Sequence, residues 1–199
     1  QWRSLLDDLG HAPSRAFSLA QQCFFFHVQD DFEQVQRLAG DLRAVSLSEG
    51  FALWVPIADT FVAWAGARQG RNASSAVETI TTAKQQIDRS LTHITEVELT
   101  SMLAETLLLA NRPQDVFQVV TPVMETARRG VLGHYVPELF RLQGEAAEAM
   151  GDWKRAVALY RAAIERASQM GATRLERRAV AALERASLIE TSAGEKDAS

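Results

Sequence analysis

The chain has one cysteine, Cys23, in 199 residues. A lone cysteine cannot close an internal disulfide, so a reducing, cytoplasmic setting is expected. No apolar run approaches the roughly 18 to 20 residues that would span a bilayer. The excess of one sign of charge over the other is also small. A formal net charge of −4 favours solubility and speaks against nucleic-acid binding through bulk electrostatics. No glycine loop ending in Gly-Lys-Ser/Thr is present, which removes the usual phosphate cradle. His11, His27, His93 and His134 stand far apart, with no His-Glu-x-x-His or Cys-x-x-Cys spacing, so no metal site or cofactor is expected. Asn72-Ala73-Ser74 fits the glycosylation triplet, but a helix cap is its simpler role.

What is present is helical pattern, repeated. With 47% hydrophobic and 23% charged residues, the composition is that of a folded soluble domain. Residues 133 to 170 show the unit most clearly. Gly151 supplies a left-handed turn and Asp152 can cap the next helix. Trp153, Ala156, Val157, Tyr160, Ala163 and Ile164 then recur at spacings of three and four, one apolar stripe.

The same alternation predicts helix pairs over residues 13–50, 51–90, 94–130 and 133–171, with a terminal helix at 173–190. Residues 1–10, with Trp2 and Leu5 on one face, read as the end of an upstream helix; the whole of 1–191 is then one repeat domain, and 192–199 a frayed polar tail. The chain opens with Gln1 partway through a helical pattern, as a piece of a longer polypeptide would. Pro13 and Pro56 suit first turns, whereas Pro122 falls inside a helix and predicts a kink. Corners at Asp30, Gly70, Arg112 and Gly151 lie 40, 42 and 39 residues apart, the interval of a helical solenoid. In that register Cys23, Ala63, Glu105 and Gly144 share the column where helices touch closely. Three are small, as close approach requires. Glu105 is the exception, predicting a splayed third repeat or a different use for that carboxylate. Cys23 in this column is expected to be a buried, inert thiol.

Around the corner at Gly151, the chain resembles a tetratricopeptide repeat. Gly144, Gly151-Asp152, Trp153, Ala156, Tyr160 and Ala163 carry the likeness. Gln143 departs from the usual leucine, and no proline follows the second helix. Leu-Gly-His-Ala-Pro-Ser-Arg-Ala-Phe-Ser-Leu-Ala (9–20), Trp-Ala-Gly-Ala-Arg-Gln-Gly-Arg (64–71), Glu-Leu-Phe-Arg-Leu-Gln-Gly-Glu (138–145) and residues 166–179 narrow the resemblance. They are similar to the carboxy-terminal repeat region of large bacterial regulators that join an ATPase module to a nucleotide cyclase or a DNA-binding domain. The resemblance implies an all-α, right-handed superhelical solenoid of about four antiparallel helix pairs with partial end helices. It also implies a sensor or interaction arm without catalysis of its own.

By register with that family, the first helix of each pair lines a concave groove. Its positions are Phe17, Ala20, Phe24, His27; Ile57, Thr60, Trp64, Arg68; Leu99, Met102, Thr106, Leu109; and Glu138, Arg141, Glu145, Glu148. The contact residues singled out are Phe24, His27, Trp64, Arg68, Arg141 and Glu145. Arg68 and Arg141 would pair with carboxylates or phosphates, and Trp64 would offer a flat apolar face. A protein or peptide, the upstream domains of the same chain, or a small effector would lodge there. The competing expectation is that tight curvature buries the aromatics as core. An oligomerisation module, such as a homodimer, is the rival reading. From Lys154 to Arg185 eight Lys/Arg face three Glu, a pattern that solvated helix faces commonly show. No aromatic interleaving accompanies it, so a nucleic-acid surface is not expected.

Overall fold

The computed structural model describes residues 11–89, 95–127 and 135–196, with side chains described through Leu188. Expectations for residues 1–10, His93, His134 and the end of the helix near Gly130 lie outside the described residues. Among the described residues the chain is all-helical, with no strand. It divides into two compact units, residues 1–93 and 94–199.

The first unit holds α1 (Ala12–Val28), α2 (Phe32–Ser48), α3 (Trp54–Arg68) and α4 (Ala73–Arg89). The second holds α5 (Glu96–Leu109), α6 (Pro113–Ala127), α7 (Val136–Ala149), α8 (Trp153–Gln169) and α9 (Thr173–Lys196). Within each unit every helix packs on the next. Alternate helices also touch: α1 on α3 in the first unit, and α5 on α7 and α7 on α9 in the second.

Local chemistry explains where the helices stop. Asp30, Gly70, Asn111 and Gly151 are left-handed, with φ of 60°, 82°, 57° and 79°. Each closes its helix by the same pair of bonds. At the first corner the Asp30 N–H donates to His27 O and the Asp31 N–H to Phe26 O, at 2.9 and 3.0 Å. At the third, Asn111 donates to Leu108 O and Arg112 to Leu107 O, at 3.0 and 2.9 Å. The next helix is then capped by a side chain. Asp31 accepts from Gln34 N and Asp152 from Arg155 N, both at 3.1 Å, and Asn72 accepts from Ser75 N at 3.2 Å.

The third corner is therefore Asn111, one residue before the expected Arg112. Asparagine tolerates the left-handed region almost as glycine does, because its amide bonds locally. The corner intervals become 40, 41 and 40 residues, and the column of close contact shifts with them. Ala104, fully buried, replaces Glu105 there, so all four members are small. Leu99, Met102 and Thr106 consequently turn into the core instead of lining a groove, while Leu109 is exposed. Glu98, Ser101 and Glu105 take the register positions of Glu138, Arg141 and Glu145.

Pro122 lies inside a helix, as expected, and one further helix end differs. Helix α6 runs through Pro122 to Ala127, with Pro122 exposed and Thr126 Oγ donating back to its carbonyl at 3.3 Å. Helix α9 continues to Lys196, past the expected end near Glu190, so the segment read as a frayed tail is helical as far as Lys196. Glutamate, alanine and lysine are good helix formers, and Gly194 is the one residue there that strongly opposes the helix.

Candidate interaction surface

In the first unit the candidate residues come from α1 and α3. Trp64 is fully buried, and the His27 ring meets it edge-on at 4.6 Å and 78°, itself only 1% exposed. Both side chains belong to the core. Phe24 is half-buried, its ring edge-on to Phe61 at 4.8 Å. Arg68 closes α3 and donates through Nη2 to both oxygens of Asp30, at 2.7 and 2.6 Å. This pair ties the end of α3 to the corner after α1 and keeps each partner partly in water. Arg68 already has a carboxylate.

What α1 does present to solvent is phenylalanine. Phe17 is 54% exposed and edge-on to Trp54 at 6.2 Å; Phe25 is 61% exposed and edge-on to Phe26 at 5.3 Å. Phe25 was not among the residues picked out from the sequence, although a signal existed. Three consecutive phenylalanines, 24 to 26, sit at steps of about 100° around a helix, so one at least must point outward.

In the second unit the first helix of each pair brings charge together. Arg141 on α7 is 6% exposed. Its Nε and Nη2 donate to the two oxygens of Glu138 at 3.0 and 2.6 Å, and Nη1 lies 2.6 Å from Glu145 Oε1. Glu105 on α5 approaches the same guanidinium at 3.7 Å. Arg178 on α9 contacts Glu105 at 3.2 Å and Glu138 at 3.1 Å. One turn-pair further along α9, Arg185 contacts Glu145 at 3.3 Å and Glu148 at 3.6 Å. Tyr160 on α8 donates its hydroxyl to Glu148 at 2.6 Å.

The electrostatics follow from this geometry. Burial alone would lower the basicity of Arg141, but Glu138, Glu145 and Glu105 outweigh it and hold the guanidinium still more firmly protonated than usual. Burial, then the hydrogen bond to Glu148, raises the Tyr160 phenol above its ordinary range. Tyr135, at the start of α7, is raised by burial and then by Glu138, Glu98 and Glu105. The Cys23 thiol is pushed up to about 12 by burial, which leaves it protonated and unreactive at neutral pH.

Arg141 and Glu145 are thus brought together, but with each other. Arg141 also holds Glu138 and Glu105, and Glu145 also meets Arg185, so the buried Arg141 guanidinium already faces three carboxylates. The basic excess of α8 and α9 is divided likewise. Arg178 and Arg185 serve the network, and Arg155 lies over the Phe117 ring at 3.9 Å. A cleft of about 410 Å³ in this unit has an apolar floor of Ala127, Val136, Phe140 and Ala162, rimmed by Glu165, Arg166 and Gln169. Among the described residues no group of three or more His, Cys, Asp or Glu is arranged to hold a metal ion, and no helix is long and apolar enough to cross a membrane. Comparison with protein-family models gives no match, and neither does comparison with curated proteins.

Proposed function

We propose that the chain is a helical-repeat interaction module, a right-handed solenoid that binds a protein or peptide and performs no chemistry itself. The observation that carries this reading is the recurrence of one corner geometry every 40 or 41 residues, with alternate helices in contact within each unit. The binding surface in the first unit centres on Phe17, Phe24 and Phe25 of α1, and the Arg68–Asp30 pair at the end of that helix is its polar border. Exposed aromatics of this kind anchor amphipathic helices. In keeping with its resemblance to regulator arms, the module would serve a larger cytoplasmic signalling protein, and the occupant could be supplied by upstream domains of that protein. Panning a displayed peptide library on the immobilised chain tests the reading. An enriched sequence whose affinity falls at least tenfold with Phe25→Ser, while the helical circular dichroism is unchanged, supports it; the absence of any enriched sequence contradicts it.

The exposed Phe17 and Phe25 also favour one rival, a self-association module. Light scattering at several concentrations separates the two, because a chain that stays monomeric throughout leaves no self-association for the phenylalanines to mediate.

A further inference from the structure

Helices α5 and α7 carry four carboxylates into the network, Glu105, Glu138, Glu145 and Glu148, but a single cation, Arg141. The balance comes from α9. Arg178 fills a socket between Glu105 and Glu138, and Arg185 fills a second between Glu145 and Glu148. The two arginines are seven residues apart, two turns of one helix face. The apolar grip of α9 comes from small side chains, Ala179, Ala182 and Ala186 with Leu175, and from Leu183, half-buried against the cluster of Ala147, Ala156 and Tyr160. Arg185 is half in water, where salt weakens its pairs. Were α9 to leave, Arg141 would still hold Glu138 at 2.6 Å, so undocking would not strand that carboxylate alone.

We infer that α9 is a displaceable latch, self-docked in two guanidinium sockets on α5 and α7, which a partner helix carrying arginines at i and i+7 can occupy in its place. The purpose of the latch rests on the binding-module reading. The latch itself does not, since amide exchange in α9 reads it whether or not a peptide is selected by the first unit.

Hydrogen exchange on the full chain, with Arg178→Gln/Arg185→Gln and with Arg185→Gln alone, tests it. Residues 173–188 should exchange at least tenfold faster in the double variant and at least threefold faster in the single one, with α5 to α8 unchanged. A labelled peptide of residues 172–188 should bind the double variant at least tenfold more tightly than the parent chain. The same peptide with both arginines changed to glutamine should bind neither. Unchanged exchange in α9 overturns the latch. So does loss of protection throughout α5 to α8 in both variants, which would make α9 an integral part of the fold. Faster α9 exchange without peptide binding overturns the basic-helix occupant.

Discussion

Arg178 on α9 and Glu105 on α5 form an ion pair at 3.2 Å although 73 residues separate them. In a stack of repeats each unit ordinarily answers only to its neighbour, and stability is close to a sum of nearest-neighbour terms. This pair, through the Glu138 carboxylate that both Arg178 and Arg141 share, joins α5, α7 and α9 in one electrostatic unit.

Arg141 is the centre of that unit, and removing it should leave Glu138 buried without its bidentate partner. Arg141→Met is expected to cost about 3–5 kcal/mol in urea unfolding, the range for breaking a buried pair from one side. Adding Glu138→Gln to it should recover part of that loss. If the double variant is as unstable as the sum of the singles, the two residues are not coupled as the geometry requires.

Gly144 is required by a neighbour. A β-carbon there would stand 2.5 and 2.6 Å from ring atoms of Tyr160, which is itself fully buried. Gly144→Ala should therefore destabilise by about 1–3 kcal/mol, an overpacking cost, despite alanine's better helix propensity. Combining it with Tyr160→Leu should remove the clash, so a thermal-melt cycle will show strong non-additivity. A Gly144→Ala chain as stable as the parent would mean that the ring has room to move.

The left-handed Asn111 makes a prediction of opposite sign. Asn111→Gly should be neutral or stabilising, whereas Asn111→Val should cost about 1–2 kcal/mol, since a β-branched residue is poorly tolerated at φ 57°. The same two changes at Arg112 should show no such contrast. Denaturant midpoints of the four variants test the corrected corner directly.

Cys23 is fully buried, and its thiol is pushed up from 9.0 to about 12. A raised folded-state value means the thiol's contribution to stability is complete below about pH 9 and is lost as pH rises through about 12. At neutral pH a thiol reagent should modify Cys23 only at the rate of unfolding, with full reaction in denaturant. Fast labelling of the native chain would contradict the packing of α1.

Much of the fold was legible because helices announce their own ends. Asp31, Asn72 and Asp152 are caps, and Gly50, Gly70, Gly151 and Gly171 are left-handed stops, all visible as residue types. Asn111 is harder to read because asparagine serves equally well in caps, turns and left-handed stops, and a corner placed at Arg112 shifts Glu105 and the whole third register by one residue. The candidate site was less legible. Periodicity places His27, Trp64 and Arg141 on the first-helix face but cannot say how far neighbouring helices close over it. Trp64 and His27 met each other edge-on and became core, while Arg141 met carboxylates from its own helix three and four residues away. Phe17 and Phe25 of α1 stay largely in water, Phe25 on a face that no apolar stripe requires.

Partners that bind on the first helices of the pairs would be seen in amide shifts of the isotope-labelled chain titrated with a selected peptide. Shifts should concentrate on α1 and α3 around Phe17, Phe24, Phe25 and Arg68, with α2 and α4 largely silent. Shifts confined to α2 and α4, or no saturable shift with any selected peptide, would contradict binding there.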